Sequence, residues 1–570
     1  LMLFLFFIIS LLICFSTLGF GLIGLKLINS NNSNFNLGLC GIFGLFILSI
    51  ISSFTHIFYP HNFIHNITLF TIGFFIFIYF STNKIYKIKK DLIVFVFVYS
   101  LLFLCLLISK TNEDFPYYHL PNSLQFAQQK LQFGLGNLNH GFKHISSLFL
   151  LQSLHYFPEF EHYLFNLTNY AFLVFFILFI LIEIYFKSDK NSSLSQLLLI
   201  FFLILFLTKF SRIAEYGSDI AGQILVSIFL FFIIEIIFNY KLKTHSKFTY
   251  FKISLILIIF AISTKFILSI YSLFIIFAFF LIKNKKTLLK NIFKLEYIII
   301  ALFPLIYLFF FNFTSTGCIL YPVEVTCFSE TFKWSLSSDI VNHLNLHYEV
   351  WSKAGKGPNL DIQDHEIYIS SLNWLNNWIE YYFFNKVSDY FLVIFLILLI
   401  FSSFFRKEIF INKYNNFTTN SKFNLFYLIT FLVFFLWFFN FPTLRYAGYI
   451  IIYLLFIFPI IFLIYKNFDF SNKKIIKKIS IIFLISLAIF YVKNTMRIYN
   501  EINIQGDKHH NFRNFPFYWV EKVEYEEIIV DGHKLYKTNG KCWDIPSTCV
   551  RAADNLKVFN KNNYIFYSFR

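Results

Sequence analysis

Charged side chains are scarce in this sequence. Asp, Glu, Lys and Arg make up only 14% of its 570 residues, whereas hydrophobic residues make up 57%. A soluble domain uses about 25% charged residues to cover its surface, so a soluble protein of this length is excluded. What the sequence has instead is a succession of apolar runs of about 18 to 25 residues, each long enough to cross a hydrocarbon core about 30 Å thick.

Acidic residues are fewer than basic ones, with 31 Asp and Glu against 48 Lys and Arg and a net charge of +17. An excess of this kind can indicate a nucleic-acid-binding surface. Here, however, the basic residues cluster in short links between apolar runs, where they fix the orientation of a membrane protein. We therefore expect the lipid bilayer, and no nucleic acid, as a partner.

The apolar runs predict an all-α polytopic membrane protein with about 14 transmembrane or re-entrant helices. The predicted spans cover residues 2–28, 37–59, 63–82, 91–109, 163–186, 194–208, 219–240, 249–264, 266–282, 296–313, 389–405, 422–440, 445–465 and 476–493. Residues 249–282 are too long for one crossing, so we expect two short helices that meet at Ser263, Thr264 and Lys265. The first run shows no small-residue cleavage site, and we expect no cleavable signal peptide.

Six links rich in Lys or Arg are predicted to face the cytoplasm by the positive-inside rule. They lie at residues 84–90, 187–190, 241–247, 283–290, 406–407 and 466–477. Alternation then places outside residues 110–162, 209–218 and 314–388, the turn before Arg445, and residues 494–570. We divide the chain into N-terminal helices (1–90), a transmembrane core with outer loops 110–162 and 314–388 (91–493), and a small extracytoplasmic C-terminal tail (494–570).

Cysteine is sparse, with seven residues in the chain. Three lie inside predicted spans, where a lone Cys is usually a small apolar side chain; these are Cys14, Cys40 and Cys105. The others form two close pairs on the predicted outer face, Cys318 with Cys327 and Cys542 with Cys549. A zinc site would need four ligands with tighter spacing. We therefore expect two disulfides, which suit an oxidising compartment such as the periplasm.

An acidic pair, Glu113 and Asp114, follows directly after the fourth predicted span. Burying a carboxylate in lipid costs about 2.5 to 3.5 kcal/mol on insertion scales. The pair therefore either ends the helix in the headgroup layer or belongs to a site that faces an aqueous cavity. In such a site a carboxylate could act as a general base, as a ligand of a divalent cation, or in a proton or ion relay.

Other polar residues of the predicted outer face could complete this site. Those of the first two outer segments are His119, His140, Lys143, His144, Arg212, Glu215 and Asp219. Lys265 either points into a polar cavity at the helix break or snorkels to an interface. Arg445 follows the break at Pro442 on the predicted outer side, where the positive-inside rule does not favour arginine. A guanidinium can bind phosphate with two hydrogen bonds. His140 and His144 are spaced like metal ligands, but no HExxH-type partner accompanies them.

A series of short motifs runs along these outer segments. Asp114 lies four residues before Tyr118-His119-Leu120-Pro121, and the later motifs are GLGNLNHGFKH, AEYGSD, STK, GCILYPVEVTC, Pro-x-x-Arg-Tyr and KCWDIPSTC. Together they resemble the GT-C superfamily of polytopic glycosyltransferases over residues 91–560. Within that superfamily the chain looks like bacterial members related to the dolichyl-phosphate-mannose-protein mannosyltransferase and aminoarabinose transferase types.

The resemblance implies a transferase in a bacterial inner membrane, with its active site on the periplasmic face. It would move a sugar from a polyprenyl-phosphate donor to a glycan, lipid or protein acceptor. Asp114 matches the acidic position that acts as general base or holds a divalent cation, although many members have Asp-Glu where this chain has Glu113-Asp114, so the register could shift by one. The expected donor-phosphate ligands are Arg445, Lys265 and Arg212. The expected substrate-binding residues are His119, His140, Lys143, Glu215 and Asp219.

Two other classes fit a polytopic protein with polar outer segments. A transporter or flippase of lipid-linked oligosaccharides would use the acidic pair as a coupling site, but the sequence shows no repeated half and no matched pair of broken helices. A polymerase of the O-antigen type would carry arginines in its long outer loop. Residues 314–388 contain lysines and histidines but no arginine.

The predicted topology can be tested by labelling single cysteines introduced at Ser337 and at Lys534. Both positions lie in segments that we place outside, so a membrane-impermeant thiol reagent should modify both in intact cells or spheroplasts. A cysteine at Lys286, in a predicted cytoplasmic link, should be labelled only after the membrane is opened. Protection of both outer positions would overturn the topology.

Overall fold

The computed structural model describes the chain except for residues 29–35, 83–88, 111, 188–190, 216, 358–359, 410–419, 505, 507–520 and 570. Within the described part, twelve helices are long and apolar enough to cross a membrane. They are Met2–Ile28, Leu37–His56, Phe63–Thr82, Lys89–Leu107, His162–Tyr185, Asp219–Phe238, Thr244–Thr264, Leu295–Thr316, Leu375–Ile409, Ser421–Asn440, Leu444–Asn467 and Lys473–Asn503. Two shorter apolar helical segments are Ser193–Lys209 and Phe266–Leu281. The chain is therefore a mostly helical integral membrane protein.

The apolar helices differ in how much of their surface other helices cover. His162–Tyr185 and Asp219–Phe238 are buried throughout their most apolar stretch, so they form the centre of the bundle. Phe63–Thr82, Leu375–Ile409 and Ser421–Asn440 are covered over only about a third of theirs. Since lipid tails solvate apolar side chains as well as a protein core does, these three helices are suited to the rim of the bundle.

Two of the predicted spans have different limits in the structure. The break at Lys265 is confirmed, but the first of the two helices there is not short, because it begins at Thr244 and ends at Thr264. A 3-10 turn, Phe266–Tyr271, and the helix Ser272–Leu281 follow it. The span predicted at 389–405 begins earlier, since the helical stretch Leu375–Ile409 includes a π-helical part, Trp378–Val387.

The two long outer loops are folded segments. The first contains the π-helix Phe115–His119 and several short helices, many of whose residues are buried. These are Leu120–Gln128, Leu135–Leu138, His140–Lys143, Ser147–Ser153 and His162–Leu164. The second contains the helices Glu324–Thr326, Ser338–Ser352, His365–Ile369 and Leu375–Asn377, and the paired strands Lys356–Gly357 and Leu360–Asp361.

The expected C-terminal tail is a small β structure, which corrects the all-α prediction for this region. The strands are Glu526–Val530, His533–Lys537, Cys549–Val550, Lys557–Lys561 and Tyr564–Ser568. Each of two hairpins turns through two residues with positive φ, Asp531-Gly532 and Asn562-Asn563. Asp-Gly between strands of alternating character is a strong hairpin signal in a sequence, and the sequence analysis missed it.

The β structure packs on the first outer loop. The amide of Phe133 donates to the carbonyl of Ile565 at 2.9 Å, and the amide of Arg551 donates to the carbonyl of Leu138 at 3.1 Å. The rings of Phe133 and Phe566 stack at 4.4 Å. The C-terminal segment and the first loop thus form one layer, which we call the outer layer after its predicted side of the membrane. The last helix also continues to Asn503, past its predicted end at 493.

Residues beside the links that are predicted to be cytoplasmic contact one another. The Lys422 ammonium donates to the carbonyl of Ile237 at 3.1 Å, and Lys478 pairs with Glu408 at 2.6 Å. Glu235, which is fully buried, accepts hydrogen bonds from the amide and hydroxyl of Ser192 at 2.8 Å each. Each of these contacts joins the end of one apolar helix to the beginning of another.

Both predicted disulfides are present in the structure. Cys318 is bonded to Cys327, and Cys542 is bonded to Cys549. Cys14, Cys40 and Cys105 are free and buried, as expected for small apolar side chains in spans.

Close contacts between glycines and backbone hold the first three helices together. A Cβ on Gly21 would lie 1.8 Å from the carbonyl oxygen of Cys40, and a Cβ on Gly44 would lie 1.9 Å from that of Thr17. Small residues allow this approach, and in lipid such packing replaces the hydrophobic effect as a driving force for helix association.

Gly21→Ala should therefore destabilise the bundle by about 1 to 3 kcal/mol, the usual cost of forcing extra atoms into a packed interior. The measurement is thermal unfolding of the purified protein in detergent. Gly357→Ala is the matched control, because a Cβ there would have no atom within 4 Å. Equal unfolding temperatures for the two variants would contradict the packing described here.

Candidate active site

The acidic pair lies where the chain leaves the helix Lys89–Leu107 and enters the outer layer. Ser109 forms an isolated β-bridge with Ala214 of the second predicted outer segment. Oδ1 of Asn112 accepts a hydrogen bond from the backbone amide of Asp114 at 2.7 Å. The π-helix Phe115–His119 follows at once. This arrangement turns the Asp114 side chain inward, with 24% of it exposed, while Glu113 is exposed.

Asp114 belongs to a cluster of four charged side chains. Its Oδ2 lies 2.5 Å from Nη2 of Arg445. Nε of the same guanidinium lies 3.1 Å from Oδ2 of Asp219, and the Lys265 ammonium pairs with Oδ1 of Asp219. Lys265 also donates to the carbonyl of Arg445 at 3.3 Å. Two carboxylates and two cations therefore alternate, and their formal charges cancel.

Each member of the cluster comes from a point where a helix begins or breaks. Asp219 is the first residue of the helix Asp219–Phe238, where a carboxylate interacts favourably with the positive end of the helix dipole. Lys265 occupies the extended residue between Thr264 and Phe266. Arg445 lies in the π-turn Leu444–Gly448, in which Ala447 has φ +78°. A non-glycine residue in that region is strained, which is common at functional sites.

Aromatic side chains surround the cations. The Lys265 ammonium lies 4.4 Å from the ring centre of Tyr446, a distance that gives a cation–π interaction. The Arg445 guanidinium carbon lies 5.8 Å from the ring centre of Tyr446 and 5.9 Å from that of Trp351. Nη2 of Arg445 donates to the Tyr118 hydroxyl at 3.4 Å. These rings limit the access of water and so strengthen the ion pairs.

The cluster keeps Asp114 in its ionised form. Burial, the largest single effect, raises the pKa of the Asp114 carboxyl, but Arg445 and His119 together outweigh burial, and the pKa lies below its usual value. Because the folded pKa is depressed, the carboxylate form is fully present at neutral pH and is lost only when the pH falls through that lowered value. Burial lowers the pKa of Lys265, and Asp219 offsets part of that effect.

A cavity of about 280 Å³ opens beside the cluster. Its polar wall contains Lys265, Lys143 and His144, together with the rings of Tyr118 and Tyr446. Its apolar wall comes from residues at the outer ends of spans, namely Phe266, Ile267, Leu308 and Phe441. The cavity therefore combines basic groups with a surface that suits a hydrocarbon chain.

His140 and His144 share a hydrogen-bond partner near this cavity. Their Nε2 atoms lie 3.0 and 3.4 Å from the Tyr348 hydroxyl, which comes from the second outer loop. Burial lowers the pKa of His140 to about 3 and that of His144 to about 4, so both rings are neutral at pH 7. Burial also lowers the pKa of Lys143 to about 8.

Three further predicted site residues are His119, Glu215 and Arg212. The buried ring of His119 packs against Gly217, where a Cβ would lie 2.2 Å from it, so only glycine fits there. Burial lowers the pKa of His119 to about 4. Glu215 is buried, which raises its pKa to about 8, while Arg212 and Lys110 act in the opposite direction. Glu215 and Arg212, like Asp114 and Arg445, are not among the residues that line the cavity, so the role of Arg212 in donor binding stays a prediction.

The expected divalent cation at Asp114 does not fit the donor set. Asp114 and Asp219 already face Arg445 and Lys265, which would repel a second cation. Over the described ranges of the chain, no group of three or more His, Cys, Asp or Glu side chains is arranged to hold a metal ion. The chemistry proposed below uses no metal.

Four aromatic residues of this site were not predicted from the sequence. Tyr118 and Tyr446 stand inside the motifs around Asp114 and Arg445, so attention to those motifs would have found them. Tyr348 and Trp351 lie on the helix Ser338–Ser352, which carries no recognisable motif. The tertiary structure alone brings this helix to the cluster.

Comparison with known proteins gives one match. A family model described as a domain of unknown function, DUF8201, matches residues 2–452, which is most of the chain. No curated protein and no solved structure matches the sequence.

The charge cluster predicts a specific loss of stability. Asp219→Asn should cost about 3 kcal/mol, because it leaves Lys265 and Arg445 with one buried carboxylate fewer. Glu113→Gln, at the exposed acidic position, should change the free energy of unfolding by no more than about 0.5 kcal/mol. Thermal unfolding in detergent measures both. If Asp219→Asn unfolds like the parent protein, the ion pairs at Asp219 contribute no stability.

Proposed function

The chain belongs to the DUF8201 family, whose function is unknown, and we propose that it is a membrane glycosyltransferase of the GT-C type. It would move a sugar from a polyprenyl-phosphate donor to an acceptor on the extracytoplasmic face of a bacterial inner membrane. The observation that carries this proposal is the ionised Asp114 beside Arg445 and Lys265, at a cavity with one basic and one apolar wall.

The cavity suits a lipid phosphate in two respects. Phe266, Ile267 and Leu308 offer an apolar surface for isoprenoid units, and Lys265 and Lys143 offer ammonium groups for the phosphate. Arg445 does not line the cavity itself, but its neighbour Tyr446 does, and its guanidinium donates to Tyr118, which also lines the cavity. When a phosphate enters, it would compete with the two carboxylates for these cations, so donor binding would free Asp114 from part of its ion pair.

The reaction would be a single displacement at the anomeric carbon. A hydroxyl oxygen of the acceptor forms the new bond to that carbon while the bond from the carbon to the phosphate oxygen breaks. The electron pair of the broken bond leaves with the polyprenyl phosphate, whose negative charge Arg445 and Lys265 stabilise. The hydroxyl proton passes to the Asp114 carboxylate, and Oδ1 is suited to accept it because Oδ2 faces Arg445. The configuration at the anomeric carbon inverts.

A transporter or flippase of lipid-linked sugars is the second candidate. It is favoured by the buried, ion-paired arrangement of Asp219 and Lys265, since paired charges at membrane depth can also couple ion movement to transport. The two functions differ in their products. A transferase releases free polyprenyl phosphate and a glycosylated acceptor, whereas a flippase leaves the lipid-linked sugar intact.

Asp114→Asn should lower sugar transfer by about 10² to 10⁴ and leave donor binding largely intact, because the amide keeps the side-chain shape but cannot accept the proton. The measurement is the release of polyprenyl phosphate from a panel of radiolabelled polyprenyl-phosphate sugars by the protein in nanodiscs.

Glu113→Gln is the matched control and should keep most of the activity, since Glu113 is exposed. A reversed pattern would shift the catalytic role to Glu113. If Asp114→Asn releases polyprenyl phosphate as fast as the parent protein, this segment has no enzymatic role. If the donor crosses the membrane and no polyprenyl phosphate is released, the flippase is favoured.

A further inference from the structure

A second cavity is lined by Trp351, whose ring also lies near the Arg445 guanidinium. Its volume is about 390 Å³, within the range of about 300 to 1,000 Å³ that small-molecule sites occupy. Trp351, Tyr381, Tyr382, Asn385 and Thr443 are among the residues that line it. The Trp351 ring lies 6.0 Å from the ring of Tyr446, which lines the first cavity. One aromatic wall thus separates the two cavities beside Arg445.

The second cavity has exposed aromatic faces. Trp351 is 38% exposed and Tyr381 is 48% exposed. Tyr382 is held in place, because its hydroxyl accepts the amide of Leu444 at 2.8 Å. Flat aromatic faces of this kind pack well against the C–H face of a sugar ring, while the amide of Asn385 can donate to and accept from hydroxyl groups.

Thr443 supplies an independent sign of a ligand. It is only 1% exposed and lines the cavity, and over the described part of the chain its hydroxyl has no hydrogen-bond partner. An unpaired buried hydroxyl is costly. A ligand with hydroxyl groups would satisfy it.

The charge of the lining argues for a neutral ligand. Lys356 is the one Lys or Arg among the residues that line the second cavity, and its ammonium is paired with Asp361 at 3.1 Å. A phosphate or an acidic peptide would meet no free cation in this lining. A neutral polyol with an apolar face would pack on the aromatic rings of the lining and form hydrogen bonds with Asn385 and Thr443.

We propose that this second cavity binds a saccharide, and that the saccharide is the acceptor of the transfer reaction. The role as acceptor rests on the proposed function, whereas the binding of a saccharide does not. The cavity lies close to the charge cluster, because Trp351 lines it and the Trp351 ring centre is 5.9 Å from the guanidinium carbon of Arg445.

The test is saturation-transfer NMR on the full chain in nanodiscs, carrying Asp114→Asn so that no transfer consumes the probe. The probes are the methyl glycosides of glucose, galactose, mannose and N-acetylglucosamine at millimolar concentration, with a neutral tripeptide as the comparison. At least one glycoside should receive saturation. Tyr381→Ala and Thr443→Val should each weaken its binding roughly five- to tenfold.

Thr430→Val is the matched control for Thr443→Val. The Thr430 hydroxyl is buried but already bonded to the carbonyl of Phe426 at 2.9 Å, far from the cavity lining, so saccharide binding should not change. Thermal unfolding verifies that each variant is folded.

Binding of no glycoside, binding that survives both cavity substitutions, or preferential binding of the tripeptide would each overturn the proposal. If binding survives both cavity substitutions, Tyr381 is exposed only because it is a tyrosine at the membrane interface. Failure of the glycosyltransferase proposal has a different signature: no polyprenyl-phosphate sugar is cleaved, while glycoside binding and its dependence on Tyr381 persist.

Discussion

The guanidinium of Arg445 is shared between two carboxylates, and the site is built around this arrangement. Asp114 and Asp219 come from different parts of the chain, and Arg445 lies near both because it stands at the beginning of the span Leu444–Asn467, just after the turn at Pro442. A buried charge that loses its partner costs several kcal/mol, so the three segments are constrained to meet. Lys265 completes the balance by pairing with Asp219. The fold can keep four charges at the edge of the bilayer only because they cancel one another.

The irregular backbone around the cluster follows from the same constraint. Side chains can converge on one point only if the helices that carry them begin or break there, and such backbone is tolerated near the membrane only where protein covers it or it lines a cavity. Trp378 donates to the carbonyl of Pro442 at 2.9 Å, and Tyr382 accepts the amide of Leu444. The π-helical part of the span Leu375–Ile409 therefore fixes the turn that presents Arg445.

Two cavities beside one charge cluster suit a reaction with two substrates. The first combines apolar span ends with lysines, whereas the second has aromatic faces and neutral polar groups. A lipid phosphate has an apolar chain and a negative charge, which suit the first cavity, whereas a saccharide has C–H faces and neutral hydroxyl groups, which suit the second. The aromatic wall of Trp351 and Tyr446 keeps the two environments apart, and the charged groups at its edge are the place where the substrates could meet.

The membrane class, the helix break at Lys265 and the two disulfides could be predicted from the sequence alone, as could the choice of Asp114, Arg445 and Lys265 as candidates, which lie in one charge cluster. These features are local: hydrophobic length, a short interruption, close cysteine pairs, and charges too costly to leave in lipid without a partner. The tertiary structure decided the rest. It paired Asp219 with both Arg445 and Lys265, folded the C-terminal strands onto the first loop, and brought Trp351 and Tyr348 to the site. Such placements depend on contacts between segments hundreds of residues apart, and no local pattern specifies which of several polar residues on the outer face will share a partner.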